Sequence, residues 1–201
     1  MSRRFFARDA LTLAQALLGA VLVHEAPDGT AAGRIVEAEA YRGPEDRAAH
    51  SYGGRRTPRN EVMYGPAGHA YVYFIYGMHY CFNVVAAGRD QPEAVLIRAL
   101  EPLAGVELMR ARRGVNEAMP PAALARGPAN LCRALGIDRR LNGANLLSGP
   151  LRIERGAALA TERIVAATRV GVAYAGEHAL RLWRFYDRTS AAVSARARPP
   201  R

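Results

Sequence analysis

Glu39 and Tyr41 stand two residues apart in the segment Gly33 to Tyr41, and Arg98 interrupts the apolar run Val95-Leu96-Ile97-Arg98-Ala99-Leu100. A carboxylate can take a proton from water, and tyrosine rings can hold a flat, electron-poor ligand. Plainer explanations exist for most of these residues. Glu39 with Tyr41 suits a solvated strand face, and Tyr71, Tyr73, Tyr76 and Tyr80 suit ordinary sheet packing, since aromatic residues favour strands. Two residues need more. Tyr76 beside Gly77 puts a large ring at a hairpin tip, where it is costly to expose without a partner. Arg98 within an apolar strand requires a carboxylate such as Glu39, or a phosphate, because unpaired buried charge is strongly destabilising.

Other chemistries find no motif. There is no GxSxG elbow, no phosphate-cradling glycine loop, no CxxC pair and no HExxH. His50 and His69 could ligate a metal, but lone histidines are more often polar packing residues, so no metal and no cofactor are expected. What remains is aromatic rings, one well-placed carboxylate and abundant arginine, which together can hold a flat base and activate water.

The elements that would position these groups can be read from pattern. Asp9 caps a helix through Leu11, Ala14, Leu17 and Leu18, closed by Gly19. Val21 to His24 is a strand, Asp28-Gly29 a hairpin signal, and Gly33 to Tyr41 the returning strand. Strict alternation there puts Ile35, Glu37, Glu39 and Tyr41 on one face and Val36, Ala38 and Ala40 on the other. Residues 42 to 69 form a long irregular connection, which in a compact domain is usually functional. Tyr71–Tyr76 and Tyr80–Val85 read as a hairpin with Tyr76 at or near its tip, and Ala94–Glu101 as a further strand. Pro102 suits the first turn of a helix through Met109, ending in Arg110, Arg112 and Arg113. Pro128–Leu135 reads as a short helix stopped by Gly136. Short strands are expected at Leu151–Ile153, Arg169–Ala173 and Leu180–Tyr186. The tail beyond Ser194 is expected to fray.

Bulk properties set the frame. The 201 residues carry a net charge of +10 and amount to one domain, with enough apolar residues for a core. Nucleic acid is the obvious partner for such charge, although every basic residue is arginine, which also suits coding bias. Cys81 and Cys132 offer neither a disulfide framework nor ligand spacing, so a reducing cytoplasm is expected. No apolar run reaches the roughly 20 residues that span a bilayer. The basic start reads as an amphipathic helix and not as a signal peptide.

Many short segments, in order, resemble the alkyladenine (3-methyladenine, methylpurine) DNA glycosylase family. They are densest in Gly33–Tyr41, Gly43–Asp46 and Ala48–Ser51. Further matches are Arg55, Thr57–Asn60, Tyr71–Tyr73, Ile75–Met78, Asn83, Arg98–Leu103, Gly127-Pro128, Leu131-Cys132 and Arg169–Val172. The resemblance implies an α+β fold: one mixed domain, residues 1–201, around a curved antiparallel sheet with peripheral helices. It implies that Glu39 activates water, positioned by Arg98 and the main-chain carbonyl of Val172. Tyr41, Ala48, His50 and Tyr73 would form the base pocket, with Asn83 discriminating against normal guanine. Tyr76 would intercalate in the minor groove, and Arg55, Thr57, Arg59 and Met78 would contact DNA. Departures are Asn130 in place of a lysine, and Ala173 where glycine is frequent. His79 and Tyr80, past the wedge, bear on contact with the complementary strand.

The implied partner is double-stranded DNA containing damaged purines, met by a monomer in the cytoplasm (on the nucleoid in a bacterium). A stacked base must be extruded before its sugar carbon can be attacked. A cationic alkylated purine leaves as a neutral base, so it needs no second carboxyl group of the kind glycosidases use. Neutral lesions such as hypoxanthine need a proton donor that the sequence does not name. A chain without lysine is not expected to cleave the strand through a Schiff base. Two other classes share features: a non-catalytic lesion-binding module, which has no use for Glu39, and a purine nucleosidase, which has none for Tyr76.

Overall fold

The computed structural model describes residues 1–196. Its centre is one curled antiparallel sheet, the half-barrel of an α+β domain. In chain order the elements are α1 (Arg3–Phe6), α2 (Ala10–Leu17), β1 (Val21–Ala26), β2 (Gly29–Tyr41), β3 (Ala70–Ile75), β4 (His79–Val85) and β5 (Ala94–Ala104). Then come α3 (Val106–Arg113), α4 (Pro121–Leu124), α5 (Pro128–Leu135), β6 (Leu151–Glu154), β7 (Ile164–Ala167) and β8 (Arg184–Asp187). The strands lie in the order β3-β4-β5-β2-β1-β6, with β8 on the far half of β2 and β7 beside β8. Long β2 therefore pairs β5 along one edge and both β1 and β8 along the other.

Local signals act as the sequence reading has it at most ends. Asp9 accepts from the amides of Leu11 and Thr12, capping α2, and Gly136 closes α5 in the left-handed region at φ 69°. Both α2 and α5 bury their apolar stripes (Leu13 and Leu17; Leu131 and Leu135) in one core with Phe82, Ile97, Leu100 and Met109. Each such side chain contributes about 1.5–3 kcal/mol on burial.

Three expectations need correction. Pro102 does not begin a helix; it pairs with Gly33 inside β5, and α3 starts only after Gly105. Gly105, at φ +73°, makes a corner where a Cβ would lie 2.3 Å from the Thr30 carbonyl. Residues 169–173 are not a strand. The β-branched pair Ile164-Val165 takes that place against β8, while Gly171, at φ +77°, turns the chain into the 3-10 segment Ala173–Leu180. The last strand likewise begins at Arg184, with Leu180 and Leu182 exposed. The expected frayed tail lies, from 197 on, outside the described residues. Arg196, inside them, donates to the carbonyls of Arg188 and Ser190.

Candidate active site

Strict alternation fails once on β2, and the failure builds the site. A bulge at Val36 shifts the register with β5, so that Ile35 faces Leu100 and Glu37 faces Ala99. Ile35 thus joins Ala38 and Ala40 in the main core, and not Glu37, Glu39 and Tyr41 on the opposite face. Bulges commonly re-aim side chains beside active sites.

Glu39 is fully buried. Its Oε1 accepts from the Val170 amide at 2.8 Å and lies 3.2 Å from Arg98 Nη1. Its Oε2 accepts from the Tyr41 hydroxyl at 2.9 Å. Arg98 thereby gains the carboxylate partner its apolar strand requires, and a second in Glu37, 3.2 Å from Nε. These paired charges hold the Arg98 guanidinium above its ordinary range against the opposing effect of burial.

Tyr41, Arg98, Val170 and Val172 line one side of a cavity of about 330 Å³, within the size range of small-ligand sites. Glu39 lies just beneath that side, and three of the residues it touches form the lining. Facing them, His50 packs edge-on against Tyr73 with ring centroids 4.6 Å apart, and its Nδ1 is 2.7 Å from the Tyr71 hydroxyl. Burial, reinforced by Arg59 and Arg55, pushes the His50 imidazole down to about 4, so the ring is neutral near pH 7. Burial likewise raises the Tyr41, Tyr71 and Tyr73 hydroxyls, the second to about 12, so all three remain protonated donors. Asn83 lies at the cavity wall with Nδ2 donating to the Tyr71 carbonyl at 3.0 Å. Ala48 completes the wall, its amide held by Asp46. The Val172 carbonyl accepts from the Ala175 amide at 2.9 Å; a carbonyl's second lone pair can serve another donor.

The β3–β4 hairpin projects beside the cavity mouth. Tyr76 and Gly77 both take positive φ, 54° and 68°, and the Met78 amide donates to the Ile75 carbonyl, as in a tight type I′ turn. Such a φ is uncommon for a non-glycine residue. Tyr76 is 81% exposed and Met78 69%, which makes this tip the most exposed apolar projection near the site. Arg55, Thr57 and Arg59 line a second cavity that shares His50, Ala48 and Tyr174 with the first. Asn130 turns its amide to the Arg126 carbonyl, and His79 lines the first cavity while Tyr80 packs on Phe74.

Every residue expected at the pocket is brought together here. Met78 lies apart, lining a groove on the other side of the hairpin. His69 does not line the cavity; its Nδ1 lies 2.8 Å from the Pro66 carbonyl and 3.3 Å from Arg3 Nη1. Among the described residues no three His, Cys, Asp or Glu side chains gather to hold a metal, and no helix is long and apolar enough to cross a membrane. Sequence reasoning missed Tyr71, which braces His50, and Tyr174, an exposed ring at the mouth whose hydroxyl donates to the Ala48 carbonyl. It also missed the buried Asp46–Arg169 pair behind Tyr41. Alternation placed Glu37 beside Glu39, but nothing in the pattern named its partners.

Comparison with known proteins gives one consistent result. The family described as Methylpurine-DNA glycosylase (MPG) matches residues 4–191. A protein of Clostridium acetobutylicum is 51% identical over 197 residues, 96% of each chain. One of Methanoculleus marisnigri is 53% identical over 196 residues, covering 96% of this chain and 97% of its own. One of Desulfitobacterium hafniense is 50% identical over 200 residues, covering 96% and 98%. All three bear the name "Putative 3-methyladenine DNA glycosylase".

Proposed function

The chain belongs to the methylpurine-DNA glycosylase family, hydrolases of the N-glycosyl bond in DNA, and on that premise we propose that it flips alkylated purines from duplex DNA and uses Glu39 to hydrolyse the bond that joins each to its sugar. The observation that carries this reading is the Glu39 carboxylate, held by Arg98 and the Val170 amide under an aromatic cavity. In this reading the substrates include 3-methyladenine and 7-methylguanine, with hypoxanthine and ethenoadenine further candidates. The extruded base lies against Tyr41, His50 and Tyr73, where stacking is worth about 1–3 kcal/mol per base. A cationic base gains more from the electron-rich rings. Asn83 rejects normal guanine at the wall.

Water sits on the cavity side of Glu39, oriented by Arg98 and the free lone pair of the Val172 carbonyl. As the glycosidic bond breaks, positive charge grows on the sugar. The carboxylate stabilises that charge and takes the water's proton. A methylated purine departs neutral, so one carboxylate suffices. With no lysine in the chain, the strand is left intact at an abasic site. Arg55, Thr57, Arg59 and Met78 contact the DNA. The protein acts as a monomer in a reducing compartment, which suits its two buried free cysteines.

Incubating the purified protein with methylated duplex in EDTA is expected to release free 3-methyladenine and leave the strand uncut until alkali is added. Release from free nucleosides alone would sink the reading in favour of a nucleosidase. Binding without release would favour a lesion-binding module.

Tyr76 fills the gap left by the flipped nucleotide, offsetting part of a flipping cost of a few kcal/mol. Tyr76→Ser is therefore expected to slow excision of a lesion paired with its normal partner by about tenfold, roughly 1.4 kcal/mol, and to slow mismatched lesions less. Equal slowing on the two duplexes would contradict the wedge role.

A further inference from the structure

Beyond the bulge that sets Glu39 beneath the cavity wall, Glu37 lies on the same face of its strand. Glu37 is fully buried. Its Oε1 accepts from Arg98 Nε at 3.2 Å and Arg184 Nη1 at 2.9 Å, and its Oε2 from the Ser194 amide at 2.6 Å. Arg184 is itself fixed, donating to the carbonyls of Thr168 and Ala195. Two buried carboxylates and two buried guanidinium groups thus form a neutral cluster closed by the segment around Ser194.

All three nitrogens of Arg98 are assigned in that cluster. Nε goes to Glu37, Nη2 to the Ser194 hydroxyl at 3.2 Å, and only Nη1 to Glu39. Left alone with one carboxylate, a guanidinium prefers the two-pronged fork that occupies both oxygens. That fork on Glu39 would take up Oε2, the oxygen that otherwise accepts only from the Tyr41 hydroxyl at the cavity wall.

The geometry points to Glu37, with Ser194, as a positioning residue that confines Arg98 to Oε1 of Glu39 and leaves Oε2, which accepts one bond from Tyr41, a second lone pair for water. The inference rests on the reading of Glu39 as the water-activating group. It gives the C-terminal segment a place in the reaction without any contact to the base.

The test is the single-turnover rate of base release with enzyme in saturating excess, where a misfolded fraction lowers the concentration of active enzyme and not the rate constant. Glu37→Gln is expected to lower that rate constant by about 10- to 100-fold, part of what a general base supplies, with affinity for the lesion duplex unchanged. Because Glu37 acts through Arg98, the same substitution made on Arg98→Gln is expected to add little further loss. A wild-type rate constant in Glu37→Gln would overturn the inference, as would its full loss repeated on Arg98→Gln. Should Glu37→Gln fail to fold, Ser194→Ala removes one acceptor of Arg98 while the Ser194 amide stays on Glu37. It is expected to cost about tenfold, as for one hydrogen bond to a charged group, and that loss too should vanish on Arg98→Gln. No loss in Ser194→Ala would then overturn it. An active Glu39→Gln would instead remove the premise, whereas an inactive Glu39→Gln beside a wild-type Glu37→Gln would remove this inference alone.

Discussion

Asp46→Ala is expected to lower the unfolding free energy by about 3–5 kcal/mol, the cost of leaving a buried charge without its partner. Asp46 is fully buried and holds Arg169 with both oxygens, at 2.5 and 2.8 Å. It also accepts from the amides of Arg42 and Ala48. Without it, the Arg169 guanidinium keeps only the carbonyls of Ala40 and His178 and its place over the Tyr41 and Trp183 rings. Neither carbonyl neutralises its charge. Two free amides would be added to that cost, and the turn that delivers Ala48 and His50 to the cavity would lose its anchor. At roughly 2–4 °C per kcal/mol for a chain of this size, Tm should fall on the order of 10 °C. Thermal unfolding followed by circular dichroism measures this directly. A shift no larger than the ~0.5 kcal/mol of an ordinary surface substitution would show that Arg169 is solvated and the pair dispensable.

Much of this was legible in the sequence wherever one local signal decided the outcome. Asp9 and Gly136 mark the ends of their helices because a cap or a left-handed turn needs only its own neighbours. Tyr76 could be placed at a hairpin tip because glycine and two aromatic runs fix the turn. The need of Arg98 for a carboxylate followed from charge in an apolar strand, and Glu39 supplies it. What escaped depends on contacts across the chain. The bulge at Val36 leaves no trace in an alternating pattern, since adding one residue merely exchanges faces, and it is read only from the register with β5. The strand expected at 169–173 failed because Arg169 is committed to Asp46, 123 positions earlier, and Gly171 turns the chain. The same loop brings the Val170 amide to Glu39, a contact between groups 131 positions apart. The DNA contacts proposed for Arg55, Thr57 and Arg59 rest on resemblance alone, because an exposed polar side chain looks the same in sequence whether or not it meets a phosphate.

The largest expected effect belongs to Glu39→Gln. Glutamine has the same shape, and its oxygen can still accept from the Val170 amide and Arg98, so the cavity and its rings stay in place. Its amide nitrogen can neither take a proton from water nor oppose positive charge on the sugar. The loss should approach the whole contribution of a general base, on the order of 10²–10⁴ in rate. The most direct measurement uses one preparation of the variant on a duplex bearing a single methylated purine, in EDTA. Binding is followed by fluorescence anisotropy and base release in a single turnover. The account predicts a duplex bound as tightly as by the parent protein, with its purine still attached after the parent has released all of it. Release at the parent's rate would contradict it, because the proton would then be leaving the water by another route.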